Sequence, residues 1–204
     1  MTSRTGTSSS RRSADWLRAV VETPGLTAIR DLDEARRVLW EDSLRAVPLL
    51  EGLGDPIVDI GSGGGAPGIP LALSLPDREV VLLESQRRKC RFLEQWAPSN
   101  ARVVCGRVEE QGVDWAGAAV AKALAPPPVA VEWCLPLVRP GGAVVLFVGE
   151  TADVDAVARV SGQVGGGEPE DLGGLLLIPK AASTPPGFPR RPGLARKRPL
   201  SGRR

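Results

Sequence analysis

The segment Val58-Asp59-Ile60-Gly61-Ser62-Gly63-Gly64-Gly65-Ala66-Pro67-Gly68-Ile69-Pro70 decides the fold. It joins a short apolar run at 57–60 to a second apolar stretch at 69–75 through a turn rich in glycine. Since glycine has no Cβ, a ligand can approach the backbone of such a turn closely, and the helix that follows offers free N–H groups. The pattern predicts a strand, a turn that binds a nucleotide-like ligand, and a helix. The glycine spacing G-x-G-x-x-G is shared by dehydrogenases and methyltransferases, so it does not choose between them.

The rest of the chain alternates predicted strands with predicted helices. Apolar runs bounded by turn residues predict strands at 57–60, 79–83, 101–105, 118–121, 143–148 and 175–178. Helical spacing of apolar residues predicts helices at 13–22, 31–50, 69–75, 86–96, 129–137 and 151–160. Asp31 or Asp33 is a predicted N-cap, and Arg139–Gly142 a predicted turn. This alternation predicts an α/β fold with a single doubly wound, Rossmann-like sheet and short N-terminal helices.

The composition excludes several kinds of site. The chain has 204 residues, with no His and no Tyr, which excludes Ser-His-Asp triads, Cys-His dyads, Tyr-dependent reductases and His-ligated zinc. The chain has three cysteines, Cys90, Cys105 and Cys134, and no two of them have C-x-x-C spacing. We therefore expect them to be thiols in the core that bind no metal, and we expect the protein to lie in the reducing cytoplasm. No apolar run reaches the roughly 20 residues of a membrane span, so no membrane association is expected.

Composition also predicts the boundaries of the chain's parts. Residues 1–12 are rich in Ser, Thr and Arg and are predicted to form a disordered tail. Residues 13–188 form the predicted globular domain, which begins with a helical cap at 13–54. Residues 189–204 carry seven basic residues and no acid, although the whole chain has a net charge of only +2. Such a basic arm is typical of nucleic-acid binding, with a solubilising tail as the alternative.

Two carboxylates and the chain length favour S-adenosylmethionine as the ligand of the turn. Asp59 stands two residues before Gly61, where it can orient the loop and face the cationic amino-acid end of this cofactor, whereas it would repel a pyrophosphate. Glu84 closes the second strand, in position to accept hydrogen bonds from both ribose hydroxyls. The chain is too short for the separate substrate domain of most dehydrogenases.

Five segments resemble the bacterial small-subunit ribosomal RNA guanine-N7 methyltransferases of the RsmG (GidB) family. They are VDIGSGGGAPGIPLAL, LLESQRRKCRFLEQ, GRVEE, LTAIRDLDEARRVLWEDSL and FPRRPGLARKRPL. The resemblance spans residues 26–200 and implies the fold of class I S-adenosylmethionine-dependent methyltransferases. It implies ribosomal RNA or the small ribosomal subunit as the partner, and we expect the enzyme to be a monomer.

The resemblance also implies roles for individual residues. Gly61 and Ala66 would line the cofactor, and Val108 and Glu109 would frame its adenine. Lys122 stands where the family usually has an arginine, and would contact the cofactor carboxylate or an RNA phosphate. The full predicted cofactor set is Asp59, Gly61, Gly63, Gly65, Ala66, Glu84, Val108, Glu109 and Lys122.

The chemistry of guanine N7 fits a chain without histidine. N7 has a free lone pair at neutral pH, so its attack on a methyl group needs alignment and no general base. We therefore expect no catalytic acid or base, with Lys122 as a positioning residue. The basic arm would hold the RNA backbone through Arg190, Arg191, Arg196, Lys197 and Arg198.

Departures from the family pattern leave alternatives open. Leu39 replaces the family's usual histidine, and Val148 its usual lysine. Together with Lys122, they suggest a divergent RNA- or ribosome-binding relative with weak or no activity as one alternative. A small-molecule methyltransferase is another, although it gives the basic arm no role. An NAD-dependent oxidoreductase would have the same fold and is the most distant alternative.

Overall fold

The computed structural model describes residues 6–200, which form a seven-stranded sheet with the order β3-β2-β1-β4-β5-β7-β6. The strands are β1 (Ile57–Ile60), β2 (Val80–Glu84), β3 (Ala101–Cys105), β4 (Ala116–Lys122), β5 (Val138–Phe147), β6 (Glu170–Asp171) and β7 (Leu175–Pro179). Strands β1 to β5 are parallel, whereas β7 pairs antiparallel with β5 and β6 pairs antiparallel with β7. Each predicted strand is confirmed to within a few residues at its ends, and the short edge strand β6 was not predicted.

The helices alternate with these strands. They are α1 (Gly6–Glu22), α2 (Leu32–Ala35), α3 (Asp42–Leu44), α4 (Val47–Leu50), α5 (Gly68–Ser74), α6 (Arg87–Trp96), α7 (Pro127–Cys134), α8 (Val154–Gln163) and α9 (Leu194–Lys197). A π-helical turn, Arg36–Glu41, joins α2 to α3, and 3-10 turns occupy Val108–Glu110 and Leu135–Leu137. The predicted α/β alternation is therefore confirmed.

Apolar side chains pack against both faces of the sheet. Every residue of β1 and β2 is buried, as expected for parallel strands covered on two sides. On one face, Trp16 of α1 and Ile69 of α5 belong to one apolar cluster with Val80. On the other face, Val131 of α7 and Val157 of α8 form a second cluster. These two layers make the sheet doubly wound.

The strand order reverses at β1, which pairs with β2 on one side and with β4 on the other. The helix that follows β1, α5, covers one face of the sheet, and the helix that follows β4, α7, covers the other. The loops at the carboxyl ends of β1 and β4 therefore separate and leave a crevice. Ligands of open α/β sheets bind in such crevices.

The predicted turn at Arg139–Gly142 is wrong, because these residues lie inside β5. Ala116 pairs with Val138 and Ala118 with Ala143, so the residues between them in β5 bulge out opposite Gly117. A Cβ on Gly117 would overlap the backbone of Gly54, and this close approach requires glycine.

The predicted disordered tail at 1–12 is wrong for residues 6–12, which belong to α1, whereas residues 1–5 lie outside the described part. Arg12 donates a hydrogen bond of 2.7 Å to the carbonyl of Ala97. Trp16 is fully buried, and its Nε1 donates to the carbonyl of Gly64 at 2.9 Å. These tertiary contacts stabilise a helix whose first residues carry no apolar pattern.

The single helix predicted at 31–50 is broken in the structure. Its predicted N-cap is confirmed at Asp31, whose carboxylate accepts a hydrogen bond from the Glu34 N–H at 2.8 Å. The π-helical turn and the break at Arg45–Ala46 interrupt the regular helical pattern. α4 then restarts with a proline at its first turn, where a missing N–H costs nothing.

The prediction that all three cysteines are free core thiols is wrong for two of them. Cys90 and Cys105 form a disulfide, with Cα atoms 5.8 Å apart. The sheet brings them together, because Cys105 pairs in register with Glu84 and α6 begins directly after that strand. Cys134 is a free, buried thiol, and burial raises its pKa.

Candidate cofactor site

A cleft of about 280 Å³ opens at the carboxyl ends of the central parallel strands. Its volume is just below the range for small-ligand sites, which begins at about 300 Å³. Four of the predicted cofactor residues line it, namely Gly61, Glu84, Val108 and Glu109. The structure therefore brings the glycine turn, the end of β2 and the segment after β3 to one cavity, hereafter the cleft.

The glycine turn divides into a part at the cleft and a part behind it. Gly61 lines the cleft with a φ of 73°, and a Cβ there would overlap the side chain of Leu124. Gly65 lies close to Trp16, since a Cβ on it would be 3.1 Å from the indole nitrogen. Ala66 packs with the apolar cluster of α1. Gly65 and Ala66 thus pack against the N-terminal helix and are not among the residues that line the cleft.

Glu84 connects the glycine turn with α6. Its side chain accepts hydrogen bonds from the N–H of Gly63 at 3.0 Å and from the N–H of Gln86 at 2.8 Å. Glu84 is only 5% exposed, yet it lines the cleft. The Ser85 hydroxyl makes a third, long contact of 3.5 Å. A carboxylate offers about four lone-pair positions, so one is unused and a second opens if the Ser85 hydroxyl rotates away. A pair of ribose hydroxyls fits this remaining capacity.

Asp59 lies behind the cleft and is fully buried. One oxygen accepts a hydrogen bond from the N–H of Gly68, at the start of α5, at 3.0 Å. The other oxygen, Oδ1, is buried with no hydrogen-bond partner among the described residues. Burial raises the pKa of Asp59 to about 7, and the nearby charge of Glu84 adds to the shift. Asp59 therefore orients the loop as predicted, but it does not line the cleft.

Glu109 is engaged by the C-terminal part of the chain. Its carboxylate accepts hydrogen bonds from the N–H of Gly193 at 2.8 Å and from Arg107 at 3.2 Å. Burial raises the pKa of Glu109, but these hydrogen bonds outweigh it, so the pKa is lowered overall. Glu109 thus ties residues 189–200, hereafter the C-terminal segment, to the adenine side predicted for the cleft.

Lys122 does not line the cleft, although it ends β4 as predicted. It forms an ion pair with Asp42 and donates to the carbonyl of Val38, both in the N-terminal helical part. Its Nζ lies 5.0 Å from the ring centre of Phe147. The hydrogen bonds from Lys122 and Arg45 outweigh the effect of burial and lower the pKa of Asp42. The contacts of Lys122 with Asp42 and Val38 therefore connect the end of β4 to the N-terminal helical part.

Arg190, one of the predicted RNA contacts, is engaged by a buried acid. Its Nε and a terminal nitrogen each donate to the carboxylate of Glu132, both at 2.6 Å. The side chain of Glu132 is 2% exposed and that of Arg190 is 18% exposed. Sequence reasoning missed Glu132, for which the available signal was a lone acid in the apolar helix PPVAVEWC.

The rest of the C-terminal segment packs on α7 as a wall of the cleft, not as a free arm. Arg196 lines the cleft, donates to the carbonyl of Leu124 at 3.0 Å, and stacks 5.2 Å from the ring centre of Trp133. Ala195 is buried. Three predicted RNA contacts stay exposed, without an ion-pair partner in residues 6–200: Arg191, Lys197 and Arg198.

No group of three or more His, Cys, Asp or Glu side chains in residues 6–200 could hold a metal ion. Within the same residues, every helix is too short or too polar to cross a membrane.

Comparison with known proteins gives a consistent result. The family described as "rRNA small subunit methyltransferase G" (GidB) matches residues 11–161. A ribosomal RNA small subunit methyltransferase G of Synechococcus elongatus is 36% identical over 201 residues, covering 86% of this chain and 82% of the relative. A protein of the same name from Rubrobacter xylanophilus is 38% identical over 195 residues, covering 84% and 72%.

Solved structures share the fold. A T. thermophilus 16S rRNA N2 G1207 methyltransferase, solved with AdoMet and guanosine, matches 67% of this chain and 38% of its own, with a TM-score of 0.51 and 18% identity. A tRNA (m1A58) methyltransferase from Aquifex aeolicus matches 64% and 54%, with a TM-score of 0.51 and 16% identity. At these identities the likeness concerns the fold, which is that of Rossmann-like methyltransferases. On the family match and the curated relatives, the chain belongs to the RsmG (GidB) family of small-subunit rRNA methyltransferases.

Proposed function

We propose that this chain transfers a methyl group from S-adenosylmethionine to N7 of a guanine in small-subunit ribosomal RNA. The observation that carries the proposal is the position of Glu84, which lines the cleft while it holds the glycine turn through Gly63. This arrangement fits the ribose of an adenosine cofactor. The family's relatives, named as ribosomal RNA methyltransferases, supply the substrate class.

The chain's residues bind and orient the cofactor. Glu84 would accept the ribose hydroxyls, and Val108 would cover the adenine from the segment after β3. Gly61 leaves room beside Leu124, where any side chain would narrow the cleft. When bound, S-adenosylmethionine supplies a sulfonium methyl group, which the guanine N7 lone pair attacks while the S–CH3 bonding pair leaves with sulfur.

No general base is needed for this reaction, because N7 carries no proton at neutral pH. The acids near the cleft have other partners, since Glu84 accepts from Gly63 and Gln86, and Glu109 from Gly193 and Arg107. Rate then depends on alignment of the guanine with the methyl group. Lys122 contributes indirectly, by holding the N-terminal helices through Asp42.

For the RNA, we propose that Arg191, Lys197 and Arg198 contact backbone phosphates, since all three are exposed on the C-terminal segment. We propose that residues 6–200 form one domain and act as a monomer in the cytoplasm, where ribosomal subunits assemble. A base buried in a helix cannot reach the cleft, so the target guanine must be unpaired or turned out of its stack.

The test is methyl transfer from labelled S-adenosylmethionine to small ribosomal subunits from a strain that lacks the endogenous enzyme, followed by nuclease mapping. Label on N7 of a single guanine supports the proposal. Clear cofactor binding without transfer would favour the alternative, a divergent RNA-binding relative, for which Leu39 and Val148 are the motivating departures. Label on another atom or nucleotide would refute the N7 assignment.

A further inference from the structure

Three cationic side chains from separate parts of the chain meet around the cleft. Lys89 comes from α6, Arg107 from the segment after β3, and Arg196 from α9. Arg107 is 45% exposed in its side chain, Arg196 is exposed and Lys89 is half-buried. These three residues are hereafter called the rim.

The proposed cofactor does not account for the rim. S-adenosylmethionine carries no phosphate, and its one carboxylate could pair with at most one of three cations. Its sulfonium and amino groups outweigh that carboxylate, so its net charge is positive, which cations repel. The acids of the cleft are withdrawn from solvent, since Glu84 is 5% exposed and the side chain of Glu109 is 3% exposed. The accessible charge around the opening is therefore positive, and cofactor binding would increase it.

Two further cations lie on α6, two residues before and two residues after Lys89. Arg87 and Arg91 are exposed and have no ion-pair partner in the described part of the chain. The first turn of α6 contains no acid, although the dipole of a helix favours acids there and disfavours Arg87 and Lys89. These cations therefore cost the helix some stability, so helix stability does not explain why they are present.

We propose that Lys89, Arg107 and Arg196 bind the RNA phosphates on either side of the target nucleotide. This inference rests on the proposed function. It adds which phosphates of the RNA are bound at the opening of the cleft. A nucleotide whose base enters the cleft must leave its two flanking phosphates at the opening, where the rim lies. The rim thus acts on the target nucleotide, whereas Arg191, Lys197 and Arg198 are exposed elsewhere on the C-terminal segment.

The test compares Lys89→Gln, Arg107→Gln, Arg196→Gln and their triple combination with Arg159→Gln. Arg159 is an exposed cation on α8 that does not line the cleft, so it is the matched control. Affinity for free small-subunit ribosomal RNA is measured between about 50 and 200 mM salt, where each lost phosphate contact lowers the slope of log K against log salt by about 0.7. We expect a decrease of about 2 for the triple variant and none for the control, with a loss of S-adenosylmethionine affinity by calorimetry that is much smaller than the loss of RNA affinity.

Two results would overturn this assignment. One is a triple variant with the salt slope of the Arg159→Gln control. The other is a loss of cofactor affinity that equals the loss of RNA affinity, which would make the rim part of the cofactor site. A Lys89→Glu variant checks for effects of misfolding, because it should weaken RNA binding further while its thermal midpoint is no lower than that of Lys89→Gln, since the helix dipole favours an acid at this position. If the variants show the expected slopes but the wild-type protein transfers no methyl group, the proposed function fails, whereas the phosphate contacts of the rim are retained.

Discussion

The ion pair between Glu132 and Arg190 gives a quantitative test of how the C-terminal segment is held. Glu132 is almost inaccessible, and both carboxylate oxygens accept hydrogen bonds of 2.6 Å from the guanidinium. Removing one partner of a buried pair leaves the other charge without compensation, which costs about 3–5 kcal/mol. Because Arg190 is 18% exposed, we expect the lower end, about 3 kcal/mol, for either single variant.

The variants are Glu132→Met, Arg190→Met and the double variant, measured by urea denaturation. Replacing both charges with apolar side chains leaves no buried charge, so the double variant should lose less free energy of unfolding than either single variant. The coupling free energy of this cycle should therefore be at least about 3 kcal/mol.

The matched control is the ion pair between Arg36 and Glu41, 3.2 Å apart, whose side chains are 68% and 56% exposed. Exposed pairs of this kind couple by about 0.2–1 kcal/mol. If the Glu132 and Arg190 variants are additive to within that range, the buried pair does not hold the segment and the reasoning is refuted.

Three further variants test the cleft and its support. Glu84→Ala should weaken S-adenosylmethionine binding by at least about 100-fold in calorimetry, because two hydrogen bonds to a charged group contribute about 3 kcal/mol or more. The control is Glu79→Ala, at an exposed residue at the other end of β2, which should change this affinity less than twofold. Gly61→Ala should weaken the same binding at least about tenfold, because of its positive φ and the contact with Leu124, and an unchanged affinity would contradict the role of this glycine. Gly162→Ala, in open space on α8, should leave binding unchanged and add up to about 1 kcal/mol of stability. The raised pKa of Asp59 predicts that the folded state holds a proton that the unfolded state releases, so its stabilising contribution is complete below about pH 4 and is lost as the pH rises through about 7. Asp59→Asn should make the urea midpoint depend less on pH between about pH 5 and pH 8. If the midpoint of the variant changes with pH as steeply as that of the wild-type protein, Asp59 does not titrate in this range.

The sequence predicts the central sheet well, because its signals are local. Buried parallel strands appear as continuous apolar runs, and each run ends at glycines, prolines or acids. Glu84 is predictable for the same reason, since the carboxyl end of a strand beside the glycine turn faces the crevice. Four residues of the predicted cofactor set line the cleft.

Features that depend on distant partners are not predictable in this way. The disulfide joins cysteines 15 residues apart, and only the register of β2 with β3 brings them together. The close approach of Gly117 in β4 to Gly54, opposite the bulge of β5, is another case, because no local pattern reveals it. Lys122 is a third case, because its charge predicts an anionic partner but not that this partner is Asp42.

The number of basic residues in the C-terminal segment overestimates how many of them are available to bind RNA. Arg190 is paired with an acid 58 residues earlier in the sequence, and Gly193 and Arg196 contact the wall of the cleft through Glu109 and Leu124. The segment therefore belongs to the proposed cofactor site as much as to the proposed RNA surface. Truncating it would open the cleft and lower cofactor and RNA affinity together, so the loss could not be assigned to either. Only single substitutions at its exposed cations, measured with cofactor affinity as a second readout, can separate the two roles.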